Sequence, residues 1–247
     1  MAKLEILDGA SADAPLIING DDEFLSRVSI PGRRIVRYGT SDGCDIRAED
    51  IRQMDGGQEF TLIWGGKRYP ARLPAAGAHH VMNAMAAFAA GIECGMSAED
   101  IIPAFMRYEA SGMRQKIEQI GDITVILDCY NASPTSMESS LAVLGGMKCT
   151  GRRIAVLGDM LELGEMSAKL HADISRFVMQ NADCAFLYGK EMSHCRSVLA
   201  QAGFEVHYSQ DKAALSNELQ GYLRAGDVAL FKGSRGMKME EIAGRLK

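Results

Sequence analysis

No stretch of this 247-residue chain approaches the roughly 18 to 20 consecutive apolar residues that a bilayer crossing needs. Met1-Ala-Lys-Leu-Glu-Ile6 also lacks the basic-then-apolar plan of a signal peptide, so a cytoplasmic protein without membrane insertion is the expectation. Positive charge is scarce: 27 Lys and Arg stand against 32 Asp and Glu, a net charge of -5, and no basic cluster offers the footprint that nucleic acid requires. The six cysteines (Cys44, Cys94, Cys129, Cys149, Cys184, Cys195) form no C-x-x-C pair and have no histidine at zinc-ligand spacing, so they are expected to be reduced thiols. Two nucleotide motifs are missing as well. No G-x-x-x-x-G-K-[ST] cradles phosphate, and no G-x-G-x-x-G follows a strand.

What is present has the texture of α/β structure. An apolar fraction of 47 % and a charged fraction of 24 % are ordinary for a globular protein, and the length suits two domains. Residues 2–7 read as the end of a helix whose start lies upstream, which suggests a truncated chain. Strands are expected at 15–19 and 34–38. Period-two alternation from Cys44 to Leu73, broken by Gly56-Gly57 and Gly65-Gly66, predicts hairpins. The Ala- and Met-rich run from Gly77 to Cys94 predicts a helix, and Ser97 caps a second that runs to about Glu109. Strands at 116–120 and 124–127, a helix from Pro134 to about Leu144, and a domain boundary at Gly145-Gly146 follow. Beyond it, strands near 153–157, 184–188, 205–208 and 228–231 alternate with helices near 167–180, 191–202, 212–223 and 237–246. That alternation predicts a Rossmann-like domain with a mainly parallel sheet.

Ligand sites in such sheets lie at the carboxyl ends of strands, so polar residues that end apolar runs are the candidates. Asp128 ends one run, where it either accepts from a ribose or makes a turn or helix cap; Tyr130 and Asn131 share that ambiguity. Arg114, in a loop before a strand, suits a phosphate or base or else is solvated surface. Asp159, Glu162 and Glu165 either order a loop over a nucleotide or favour the positive end of the next helix, on which His171 reads as packed. Lys232-Gly-Ser-Arg235 reads as an anion-binding corner. The Asn83 amide, one turn into the Ala-rich helix, can read an adenine edge.

Six segments in order resemble the Mur ligase family: Ala2-Lys-Leu-Glu-Ile6, Ile18-Asn-Gly-Asp-Asp22, Gly77-Ala-His-His-Val-Met-Asn-Ala84, Asp128-Cys-Tyr-Asn-Ala-Ser-Pro-Thr-Ser-Met137, Gly158-Asp-Met-Leu-Glu-Leu-Gly164 and Lys232-Gly-Ser-Arg235. The resemblance implies the second half of a central ATPase domain over 1–146, a mixed sheet with helices that lacks the P-loop, and a C-terminal ligase domain over 147–247. It implies ATP and Mg2+ as cofactors. The implied reaction is amide bond formation between UDP-N-acetylmuramoyl-tripeptide and D-alanyl-D-alanine through an acyl phosphate, by a monomer. By the same resemblance Lys3 matches a lysine that is carbamylated to hold Mg2+. Asn83, Arg114 and Asp128 match adenine, phosphate and ribose contacts, while Lys232, Ser234 and Arg235 would lie by the dipeptide and acyl phosphate, with Asp159 on the substrate side. His80 stands where the family usually has Asn, and Cys129 where it often has Ser. Another ligase of the same superfamily, or a binding module that borrows an ATPase partner, are the alternatives. The chain alone is expected to turn nothing over.

Overall fold

The computed structural model describes residues 2–54, 57–109 and 113–246, with side chains from Leu4 onward. It divides into two compact units, Met1–Glu109 and Ala110–Lys247. The boundary therefore falls about thirty-five residues before Gly145-Gly146, which instead end a helix, so the sequence-based boundary is corrected.

In the first unit a 3-10 helix spans Ala2–Gly9. Five strands follow: β1 (Leu16–Asn19), β2 (Ile35–Gly39), β3 (Ile46–Met54), β4 (Gly57–Trp64) and β5 (Lys67–Leu73). They form one mixed sheet in sequence order, parallel through β1, β2 and β3 and antiparallel through β3, β4 and β5. Gly65 and Gly66, both at positive φ, make the two-residue turn between β4 and β5. Residues 55 and 56 of the other expected hairpin lie outside the described ones.

Alternation in β3 and β4 turns Ile46, Ala48, Phe60 and Leu62 toward helix α1 (Ala78–Glu93), whose Val81, Met85, Phe88 and Ala89 fill the core. Trp64 closes on Phe88 edge-to-face at 5.7 Å. Helix α2 (Ala98–Ala104) begins at Ser97, whose Oγ accepts from the Asp100 N–H. It stops short of Glu109. Pro103 removes a donor and crowds the preceding turn, and the chain tightens into a 3-10 turn at Phe105–Arg107.

The second unit holds β6 (Lys116–Ile120), β7 (Ile123–Asp128), α3 (Pro134–Gly146), β8 (Arg153–Gly158), α4 (Ser167–Asn181), β9 (Cys184–Tyr188), α5 (Met192–Gln201), β10 (Val206–Ser209), α6 (Lys212–Tyr222), β11 (Val228–Lys232) and α7 (Glu240–Gly244). Its sheet runs β10-β9-β8-β11-β7-β6, parallel except for the β6–β7 hairpin. Because β7 pairs residue by residue with β11, the segment 113–146 belongs to this unit.

Strands β8 and β11 are buried throughout Ile154–Gly158 and Val228–Lys232, as expected where helices cover both faces. Val125, Ile154, Val156, Cys184, Phe186, Ala229 and Phe231 meet Leu215 and Leu219 of α6 and Ile242 and Ala243 of α7. The helix expected from Met237 is shorter, because Lys238 adopts a left-handed conformation (φ 49°) between a 3-10 turn at Arg235–Met237 and α7.

Candidate functional site

β11 lies between β7 and β8 although it is last in the chain, and Lys232 stands in register with Asp128 on one side and Leu157 on the other. The carboxyl ends of β7, β8 and β11 thus come level where the strand order reverses, the position at which open α/β sheets bind ligands.

Lys232 is buried there, 2 % exposed. Its Nζ donates to Asp128 Oδ2 at 2.7 Å and to the Asn131 carbonyl at 3.1 Å, engaging two of its three donors. Asp128 Oδ2 also accepts from Ser140 Oγ of α3 at 2.5 Å, and Oδ1 from the Gln115 N–H at 3.3 Å. Asp128 therefore anchors an internal ion pair, which neither the ribose nor the helix-cap expectation described. The cap of α3 is Ser133, which with Ser136 forms a reciprocal capping box ahead of Pro134 at the first helical turn.

Ser234 faces inward as well: its N–H donates to the Asp159 carbonyl at 3.0 Å and its Oγ accepts from the Leu161 N–H at 2.8 Å. In the corner expected at 232–235 to bind an anion, two of the three polar side chains thus tie strand ends together, and only a three-residue 3-10 turn follows. Arg235 remains half exposed at this edge, with Nη1 2.8 Å from Glu240 Oε1 and 3.7 Å from Met113 Sδ.

Asp159, expected on the substrate side, is 5 % exposed and directs both carboxylate oxygens at the start of α5, accepting from Met192 N–H at 2.8 Å and Glu191 N–H at 3.2 Å. Gly189 makes that approach possible. It lies at φ 116°, and a Cβ there would sit 2.5 Å from the carboxylate. His171 is fully buried, as its packed reading expects: Nε2 accepts from the Met160 N–H at 2.9 Å while Nδ1 faces the Ser167 carbonyl at 2.8 Å, which fixes the loop after β8.

What stays open at the edge is a different set. Tyr130 is 49 % exposed and carries the Arg114 guanidinium 4.0 Å above its ring, and Asn131 beside it is exposed. The Cys129 thiol below donates to the Phe231 carbonyl, and burial, with Glu240 and Asp128 nearby, pushes its pKa up to about 12, so it is no nucleophile. The stacking of Arg114 on Tyr130 was not foreseen, although each residue was singled out.

In the first unit Asn83 lines a cavity of about 380 Å³ between α1, α2 and the 105–107 turn, with Ala84, Ala87, Ile101 and Phe105 as apolar walls. His80 and Tyr108, rings 5.5 Å apart, stand in the same lining. An apolar slot with few polar groups is the usual form of a small-ligand pocket. The side chain of Lys3 lies outside the described residues, and the carboxylates at the second unit's strand edge are taken up by Lys232 and backbone amides. The described residues of that edge therefore do not fit Mg2+.

Similarity to known proteins follows the same division. The family model for the Mur ligase middle domain matches residues 1–91, and that for the Mur ligase glutamate ligase domain matches 113–235. The chain is 35 % identical to the UDP-N-acetylmuramoyl-tripeptide--D-alanyl-D-alanine ligase of Bacillus subtilis (strain 168), over 98 % of this chain and 53 % of that protein. It is 31 % identical to the ligase of the same name from Escherichia coli (strain K12), over 100 % and 55 %. A crystal structure of MurF from Acinetobacter baumannii superposes with a TM-score of 0.88 at 28 % identity, covering 99 % of this chain and 54 % of that one. The chain thus spans about half the length of the relatives it matches. With two family models matching in succession on either side of the division between its compact units, the chain belongs to the Mur ligase family.

Proposed function

We propose that these two units serve an ATP-dependent ligase that joins D-alanyl-D-alanine to UDP-N-acetylmuramoyl-tripeptide in peptidoglycan precursor synthesis. The observation that carries this reading is that relatives similar along nearly the whole chain bear that activity in their names. The proposed chemistry is transfer of the γ-phosphoryl group to the tripeptide carboxylate, then attack of the dipeptide amine on the acyl phosphate with release of phosphate. Little of it asks for covalent help from the protein; positioning and neutralisation of charge supply the rate.

In the first unit the cavity lined by Asn83 suits a purine: the amide supplies a donor and an acceptor for one edge, and the apolar walls exclude water. In the second unit the exposed Arg114 guanidinium, held flat by Tyr130, is assigned to phosphate oxygens, and Asn131 to hydrogen bonds with a polar ligand group. Arg235 is assigned to the anionic end of the acceptor, the dipeptide carboxylate or the acyl phosphate. Lys232, Asp128, Ser234 and Asp159 position that edge from within, with the third donor of Lys232 the group that can reach a substrate oxygen. ATP supplies the phosphoryl group, and the proposed carbamylated Lys3 would hold Mg2+.

Phosphate release by the protein at its relatives' length is the test. It should require ATP, UDP-N-acetylmuramoyl-tripeptide and D-alanyl-D-alanine together, while the 247-residue chain alone releases none. Saturation by a single amino acid in place of the dipeptide would move the protein to another branch of the family. Turnover by the 247-residue chain would overturn the division of labour proposed here.

A further inference from the structure

At the opposite ends of the second unit's strands from Asp128 and Lys232, a second group of reactive side chains converges. Cys184 opens β9, Glu205 immediately precedes β10, and His207 is the second residue of β10. Parallel register sets His207 beside Phe186, and the Ala185 N–H donates to the Glu205 carbonyl at 3.1 Å. Cys184 and Phe186 on one strand, and Glu205 and His207 on the next, therefore project from one face, toward α6. Cys184 Sγ, a Glu205 carboxylate oxygen and a His207 ring nitrogen all lie within 4.8 Å of one another. His207 Nε2 is 3.6 Å from Glu205 Oε1. Metal bonds of about 2.0–2.3 Å to a tetrahedral ion place its ligand atoms about 3.3–3.7 Å apart, so these side chains need little movement to close on one.

The histidine is already oriented for the task. Its Nδ1 meets Glu218 Oε1 of α6 at 2.6 Å, its ring stacks on Phe186 at 4.3 Å, and Tyr222 approaches edge-on at 5.2 Å. Nε2, on the other side of the ring, is buried and has no hydrogen-bond partner. A carboxylate that holds one ring nitrogen while the other faces a thiol and a second carboxylate is the arrangement that tunes metal-binding histidines. The Tyr222 hydroxyl completes the rim, donating to Glu205 Oε1 at 2.8 Å.

We propose that Cys184, Glu205 and His207 bind a divalent transition-metal ion, zinc(II) by the chemistry of the donors, as a staple at the edge of the second unit's sheet. A thiolate, an imidazole and a carboxylate match the borderline softness of zinc, and two anionic ligands neutralise its charge. The thiol proton leaves to solvent as the ion enters. The ion ties β9 to β10, a four-residue edge strand paired on one side only, and through Glu218 engages α6. An ion that binds the folded state alone stabilises it by mass action. The ligands are hidden from sequence reading because a whole strand-helix crossover separates Cys184 from Glu205, so no short zinc spacing exists.

Optical titration of the 247-residue chain with cobalt(II), followed by displacement with zinc(II), tests this. One ion per chain should bind, with the near-ultraviolet absorption of a cobalt–thiolate bond that zinc abolishes. Cys184→Ser should lose that band, and Cys184→Ser and His207→Gln should each weaken zinc binding at least tenfold in equilibrium dialysis. Cys195→Ser, which changes a buried thiol on α5, should leave both intact. Circular dichroism checks that each variant is folded, and His207→Gln decides the matter should Cys184→Ser fold poorly. A thiolate band that survives in Cys184→Ser, unchanged affinity in folded His207→Gln, or no saturable binding by the parent chain overturns the proposal.

Discussion

A charge as enclosed as Lys232 persists only with a partner, and among the described residues Asp128 is the anion bonded to it. Asp128→Ala leaves the ammonium with a single carbonyl, and the second unit should lose about 3–5 kcal/mol in urea unfolding. Asp128→Asn, whose amide oxygen still accepts, should lose less. A loss below about 1 kcal/mol for the alanine variant would mean that water reaches the pair and that its geometry is incidental. Gly189→Ala tests the neighbouring strand end. It forces a side chain into left-handed backbone and against the Asp159 carboxylate, so a cost of at least about 1–3 kcal/mol is expected together with displacement of the α5 start. At the open edge, Arg114→Ala in the ligase proposed above should raise the Michaelis constant for ATP by about tenfold, the loss of one charge-assisted contact, and leave folding unchanged. An unaltered constant would return Arg114 to the solvated surface. The sequence marks Asp128, Asp159 and Lys232 as polar side chains at the ends of apolar runs and Arg114 as a loop arginine, but gives no sign of the role of Gly189. It does not reveal that Asp128 and Lys232 hold each other, because the contact spans 104 positions and depends on β11 inserting between β7 and β8.

Elements were legible wherever period and punctuation agreed. The buried strands of the second unit read as unbroken apolar runs because helices cover both faces, and the alternation of β3 and β4 follows from one buried face. Helix ends were less legible. Pro103 shortens α2 and the left-handed Lys238 splits the last helix, and both are local backbone effects that the apolar period runs through. The domain boundary misled for a different reason: paired glycines resemble a linker, whereas Gly145 and Gly146 finish α3, and a Cβ on Gly145 would strike the Asn181 side chain that ends α4. Membership of β6, β7 and α3 in the second unit is decided by long-range pairing with β11. Capping is testable at this scale. Asp211 Oδ1 accepts from the Ala213 and Ala214 N–H groups at the start of α6, so Asp211→Ala should cost about 1 kcal/mol in chemical denaturation. An effect within experimental error would place the stability of α6 wholly in its packing through Leu215 and Leu219.

Among the described residues, the apolar cluster built from Val36 through Phe105 lies wholly in the first unit and that from Val125 through Ala243 wholly in the second. Residues 113–247 should therefore fold alone and unfold in one cooperative transition, followed by far- and near-ultraviolet circular dichroism. A fragment without near-ultraviolet signal would show that its packing depends on the first unit. Acid provides a finer probe of the same whole. Asp227, just before β11, is 1 % exposed and ties its own loop to the segment before β8: it accepts from the Arg152 backbone N–H at 2.8 Å, the Arg152 guanidinium at 2.7 Å and the Arg224 N–H at 2.9 Å. Burial opposes its ionisation, but the bonds from Arg152 and Arg224 outweigh it and hold the carboxyl below its ordinary value of 3.8. A carboxyl whose pKa is depressed by folding adds stability that is present above the unfolded value. That contribution fades as the pH falls through the native one, because the unfolded chain takes up the proton first. Fragment 113–247 should thus lose stability steeply below about pH 4. Asp227→Asn, less stable at neutral pH because its amide cannot pair with the guanidinium, should show a shallower slope there, so that the two urea midpoints converge as the solution is acidified. Parallel midpoint curves would place the acid sensitivity of the second unit in other carboxyls and remove Asp227 as its clasp.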